Sequence, residues 1–309
     1  MTFPVKSPLL AALVAGVALP AGAQSMPQGF YLRGVAQAEY LFDADPDRNF
    51  FFGDIALGIT PEDAPWAIPL GFDIGLKGFR SNRGDLSESV LYGAVGFATE
   101  MGTFWAGAPR PATSGYFTLP RIGGSMAFGP VAGTAVTTTD TIALFGKSAS
   151  SVGLRYDYAV DDVKVAASYH DFTDSSIDTF TGLVAYDNGP FVVAVGAEHV
   201  SAPGVNKTDF SGKLVYDVEQ WGFSLLWSST SVIDTSTFAA DAFYALRPDV
   251  RFTASYARFD VNDSEDKVYG VAAEYIFPNN AYVGVGITDS DIADLDAGYN
   301  AFVGYKFDY

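Results

Sequence analysis

The 309-residue sequence has no cysteine, so no disulfide framework holds the fold and an oxidising compartment is tolerated but not required. It also lacks any continuous run of the ~20 apolar residues that a membrane helix needs, which excludes a helical membrane protein. Basic residues are scarce: 18 Lys and Arg stand against 36 Asp and Glu, a formal charge of −18. That balance excludes nucleic acid as a partner, because binding to phosphates draws on basic surface. His170 and His199 are the only histidines, and both fall near the ends of expected strands, where a rim position explains them better than a general base does. There is no Gly-x-Ser-x-Gly nucleophile elbow. With two isolated histidines and no thiol, a transition-metal site is not expected.

What is present begins with an export pattern. Lys6 provides a positive start, residues 9–19 form a short apolar run broken by Gly16, and Ala21-Gly22-Ala23 supplies a small-residue cleavage site. Residues 1–23 are therefore expected to be a signal peptide, and 24–309 the folded chain. An apolar run of about eleven residues is too short to span a bilayer as a helix.

The remaining sequence is 15% aromatic and alternates with a period of two from end to end. In Trp221-Gly-Phe223-Ser-Leu225-Leu-Trp227 the odd positions are large and apolar, and the even ones are mostly small or polar. The same pattern runs through Val163-Lys-Val165-Ala-Ala167-Ser-Tyr169, Phe72-Asp-Ile74-Gly-Leu76-Lys77 and Phe252-Thr-Ala254-Ser-Tyr256. Successive side chains of a strand point to opposite faces, so each segment has one apolar and one mixed face. Alternation alone suits either a soluble sandwich or a barrel with a wet lumen. Two further features favour the barrel. Aromatics recur at strand ends, as at Tyr31 and Tyr40, Tyr156 and Tyr158, Tyr275 and Phe277, and Tyr305 and Phe307, like the girdles of membrane barrels. Short and longer connections also take turns: tight ones at 160–162, 187–190, 217–220, 247–249 and 278–280, longer ones at 171–176, 201–206, 228–236, 261–266 and 289–296.

Thr138–Phe145 alternates well enough to be a seventeenth strand. Single-chain bacterial barrels use even numbers, so that both termini lie on one side. Parity therefore assigns the stretch to one long connection, 109–149, between strands at 102–108 and 150–160. The earlier strands fall at about 29–41, 50–59, 70–80 and 88–99, and the last at 297–308. The expected fold is all-β: a transmembrane antiparallel β-barrel of about 16 strands. A connection of about forty residues with few charges is either functional or disordered, and folding into the lumen is the natural reading.

Three places resemble the Gram-negative general porin family. Ser151-Val-Gly-Leu-Arg155-Tyr-Asp-Tyr158 followed by Val163-Lys-Val-Ala-Ala-Ser-Tyr169 is similar to the strand pair after that family's constriction loop. Pro120-Arg-Ile-Gly123-Gly124-Ser125 resembles the loop tip, and Tyr305-Lys-Phe307-Asp-Tyr309 resembles the aromatic ending read by the outer-membrane assembly machinery, although the family usually ends in Phe. The resemblance implies a homotrimer in the outer membrane, with small hydrophilic solutes and ions diffusing through an eyelet narrowed by 109–149. In such porins, acids on the loop face basic residues on the wall. Arg155 matches a wall arginine, and Arg33 and Lys77 have the register to join it. The loop departs from that pattern: Arg121 and Ser125 stand where related porins often carry acids, and Asp140 is the loop's one acid beside Arg110, Arg121 and Lys147.

Ion preference stays open at this point. The net charge predicts cations at the mouth, whereas a basic constriction predicts anions where the pore is narrowest. The acids cluster in expected external loops, including Asp43, Asp45 and Asp47, and read first as solvated surface. These three are weak Ca²⁺ candidates, because the Gly and Glu of an EF-hand loop are missing; no other cofactor is expected. Two other functions remain: an outer-membrane barrel enzyme, and a closed barrel serving as anchor or adhesin.

Overall fold

A computed structural model describes residues 26, 28–42, 48–82, 87–127, 136–146, 151–173, 175–230, 234–261, 264–291 and 298–309. The expected signal peptide, Lys147 and the Ca²⁺ candidates Asp43, Asp45 and Asp47 lie outside the described residues.

The described chain forms sixteen strands: β1 (Phe30–Phe42), β2 (Arg48–Ile59), β3 (Leu70–Ser81), β4 (Ser87–Thr99), β5 (Gly102–Ala108), β6 (Ser151–Val160), β7 (Val163–Phe172) and β8 (Ile177–Asn188), followed by β9 (Phe191–Ala202), β10 (Val205–Asp217), β11 (Trp221–Thr230), β12 (Thr235–Arg247), β13 (Val250–Val261), β14 (Ser264–Ile276), β15 (Ala281–Ser290) and β16 (Gly298–Asp308). Each pairs antiparallel with its neighbours in sequence, and β1 pairs with β16, from Arg33 opposite Asp308 to Phe42 opposite Tyr299. The circle is closed, so no strand edge is left unpaired. The last residue takes part in the closure: Leu32 and Tyr309 exchange backbone hydrogen bonds of 2.9 and 3.0 Å.

The alternation is inverted relative to a soluble protein. Along β4, Leu91 and Val95 are 68% and 60% exposed on the outer surface, while Tyr92 between them is 1% exposed inside. Outward positions carry the exposed apolar residues Ile74, Leu154, Val195, Phe210, Trp227 and Val285. Inward positions carry buried polar ones such as Gln37, Glu39, Asp73, Thr181, Glu198 and Asn300. Aromatic rings meet at the end that carries the termini, with Tyr305 against Phe307 at 4.8 Å and Phe191 against Tyr216 at 4.6 Å between centroids.

Several connections differ from the sequence expectation. Those expected to be long at 201–206 and 261–266 contract to 203–204 and 262–263, because strands β9, β10, β13 and β14 run on through their polar residues. Register in the ladder outweighs the turn-like composition there. Thr138–Phe145 does belong to the long connection, but as a helix, α1. The three-proline stretch 60–69 turns through a short 3₁₀ segment, Pro61–Asp63, and Pro61 is buried. The Thr103 hydroxyl donates to the Glu62 carboxylate, which pins this segment inside the mouth at the terminal end.

Candidate functional site

The chain leaves β5 at the end opposite the termini, and its described stretches 109–127 and 136–146 turn into the barrel. The first anchor is on β7: His170 Nε2 lies 2.9 Å from the Pro109 carbonyl, and the Ala112 amide donates to Ser168 Oγ at 2.9 Å. His170 is therefore not a rim residue; it is 1% exposed beneath the start of the loop. His199 is the exposed histidine, paired with Thr208 Oγ1 at 3.0 Å. Phe117 packs against the inward face of β9 at Gly196, where a side-chain carbon would stand 2.5 Å from its ring.

The tip crosses to the opposite wall. Gly123 and Gly124 have φ of 56° and 78°, a left-handed turn that glycine adopts without strain. The Gly123 amide donates to Ser255 Oγ at 3.0 Å, and Asn300 Nδ2 donates to the Gly123 carbonyl at 3.1 Å. Inward-facing glycines make room for this backbone: a carbon on Gly270 would lie 2.7 Å from Gly123 N, and one on Gly286 would collide with the Gly123 carbonyl. The Gly-Gly motif is thus seated in a slot that two wall glycines leave open.

Two buried wall carboxylates hold the loop on either side. Glu39 of β1 accepts from Ser125 Oγ at 2.7 Å and from the Met126 and Ala127 amides at 3.0 Å each. Glu198 of β9 accepts from the Thr138 amide at 2.7 Å, the Thr139 amide at 2.6 Å and the Thr139 hydroxyl. It thereby satisfies free N–H groups at the start of α1. Apolar contacts complete the seating. Phe117, Ile122 and Val136 join the inner wall near Leu183, Leu226 and Val268, and Met126, Leu144 and Phe145 meet Leu41, Phe50 and Phe79.

The sequence-predicted charged residues converge on this region, and all but Arg33 do so in ion pairs. Lys77 Nζ lies 3.4 Å from Asp140 Oδ2. Arg110 donates to Asp54 at 2.6 Å and Arg121 to Glu274 at 2.5 Å. Burial pulls the Arg110 pKa down, but the Asp54 carboxylate, with Tyr92 and Asp73 beside it, leaves it raised. The Arg121 guanidinium also lies over the rings of Tyr282 and Phe302, at 5.0 and 5.6 Å. Arg155 is held by Asp157 at 2.7 Å, and Arg33 lies over Tyr31 at 4.6 Å. Two of these pairs invert the polarity implied by the family resemblance, with bases on the loop and acids on the wall. Asp54, Glu39, Glu198 and Glu274 were not singled out in the sequence. Their signal was an acid on the non-apolar face of an alternating strand.

Below the loop, toward the termini, a cavity of about 880 Å³ is lined by Arg33, Asp54, Glu62, Arg110, Arg155 and Asp157 among others. A smaller gap of about 230 Å³ separates the loop from the wall of β1 to β3. Among the described residues, no group of three or more His, Asp or Glu side chains is arranged to hold a metal ion.

No protein-family model matches the sequence, and no curated protein sequence matches it. Solved structures do. A five-substitution variant of the Rh. blastica porin is similar with a TM-score of 0.62 at 15% identity, over 91% of this chain and 100% of that one. A triple mutant of the Rhodopseudomonas blastica porin gives 0.59 at 14% identity with the same coverage. A porin refined at 1.8 Å gives 0.57 at 15% identity, over 90% of this chain and all of the other. At such identities the likeness establishes the fold, that of porin-type sixteen-stranded barrels.

Proposed function

We propose that this protein is a porin of a bacterial outer membrane, a passive channel for small solutes, with 109–149 as its constriction loop. The observation that carries this reading is the inverted alternation: the barrel presents apolar side chains outward and polar ones inward. In water such an exterior would aggregate, whereas in a bilayer it is the required surface, because a closed sheet leaves no backbone group unsatisfied against lipid. A sixteen-stranded barrel is too wide for its own side chains to fill, so a folded-in segment sets the bore. Arg33, Lys77, Arg110, Arg121, Asp140 and Arg155 are then lumenal residues that shape the path. A homotrimer in outer-membrane lipid, export by residues 1–23 and insertion through the C-terminal aromatic strand complete the proposal. Catalysis is not part of it: His170 is buried against the Pro109 carbonyl and His199 pairs with Thr208 Oγ1, so both serve local structure.

One observation favours a second reading. The loop meets the inner wall on both sides of the lumen, as a plug in a non-transporting anchor barrel would. Purified protein in planar bilayers and in swelling liposomes separates the two. Current steps or arabinose-driven swelling support the channel, and the absence of both contradicts it.

A further inference from the structure

The gap left between the constriction loop and the β1 to β3 wall is apolar where a general diffusion pore is polar. Its surface is formed by Val35 and Phe52 of the wall and by Leu119, Met126, Leu144 and Phe145 of the loop. The charges on its surface are already engaged: Lys77 with Asp140 at 3.4 Å, Asp54 with Arg110 at 2.6 Å and Arg121 with Glu274 at 2.5 Å. A small ion entering this gap gives up hydration and meets charges that are occupied by one another, and apolar constrictions of this kind resist ions by dewetting. An aromatic ring instead gains buried area on every side. A dry cavity of ~150 Å³ lined by Leu, Ile and Phe side chains accepts benzene, so about 230 Å³ admits one substituted ring. Thr141, whose hydroxyl donates to the Thr137 carbonyl at 2.6 Å, and the Lys77–Asp140 pair lie on the same surface and form its polar edge.

Resting on the channel reading above, we propose that this gap is a selectivity site for small uncharged solutes with an aromatic or apolar face. It passes them in preference to ions and to equally sized fully hydroxylated solutes. The 880 Å³ cavity on the terminal side, which carries Arg33, Glu62, Arg155 and Asp157, is then the vestibule into which such solutes emerge.

Proteoliposome swelling tests this with two glycosides of nearly equal mass, phenyl β-glucoside and glucosylglycerol, and with arabinose as a small reference. Phenyl β-glucoside is expected to enter at least about fivefold faster than glucosylglycerol, given the worth of a buried apolar group in a pocket. Phe52→Ser and, separately, Leu119→Ser should each bring the ratio toward one while arabinose entry is kept or raised. Two substitutions on opposite sides of the gap guard against one that disturbs the loop. If arabinose enters but the two glycosides enter equally, or if neither variant changes the ratio, the selectivity site is refuted while the channel stands. If no solute enters and no current steps appear, the channel reading fails and the site fails with it.

Discussion

Replacing Glu39 by alanine should free the loop tip while leaving the barrel closed. The Glu39 carboxylate is 5% exposed and takes three hydrogen bonds from the tip: Ser125 Oγ at 2.7 Å and the Met126 and Ala127 amides at 3.0 Å. A hydrogen bond contributes about 0.5–1.5 kcal/mol net, and three sharing one acceptor do not add fully. Leaving the Met126 and Ala127 amides without this acceptor costs about 1–3 kcal/mol each, so docking of the tip should weaken by about 3 kcal/mol. At 1.36 kcal/mol per decade, the Met126 and Ala127 amides should exchange with deuterium a hundredfold faster or more, read by NMR in micelles. The Thr138 and Thr139 amides, held by Glu198 on the other side of the barrel, are the internal control and should keep their protection. Glu39→Gln should fall between, because a carboxamide places one N–H against a loop N–H. Unchanged exchange at residues 126 and 127 in a folded Glu39→Ala barrel would refute the anchoring argument. Equal loss at residues 138 and 139 would show that the loop is released as a whole.

The opposite clamp makes the mirrored prediction: Glu198→Ala should expose the Thr138 and Thr139 amides and fray α1, with residues 126 and 127 protected. Gly286→Ala places a methyl group on the Gly123 carbonyl; overpacking of this kind costs about 1–3 kcal/mol and should raise solute entry in swelling assays by displacing the tip. Lys77→Met removes the partner of Asp140, so the reversal potential in a salt gradient should move toward cation preference, and a shift toward anions would contradict the pairing described. On the outer face, Leu91→Arg should destabilise the barrel in vesicles by about 2–4 kcal/mol near mid-bilayer, measured by denaturant unfolding. No effect there would argue that Leu91 does not face lipid.

The barrel was legible because side-chain alternation with a period of two leaves a trace in every strand. Gly102–Ala108 was located to the residue, and the sixteenth strand to within one. Parity placed Thr138–Phe145 in the long connection, but its helical form was not readable. Eight residues with three threonines carry little helix signal, and their N-terminus depends on Glu198, which lies 59 residues further along the chain. The basic residues of the site were found because arginine and lysine stand out in an acidic chain. Their partners were not, since Asp54 and Glu274 are ordinary acids in sequence and acquire meaning only when β2 and β14 face the loop. Connection lengths were overestimated at 201–206 and 261–266, where polar composition resembles a loop although the ladder continues.

The central claim is that the polar interior is a through-path across a membrane. Its most direct test is influx of arabinose into liposomes carrying the purified, folded protein, recorded alongside single-channel current in planar bilayers. Protein-dependent swelling is expected, with current steps that are small for a sixteen-stranded barrel. A correctly folded barrel that gives neither swelling nor steps would contradict it.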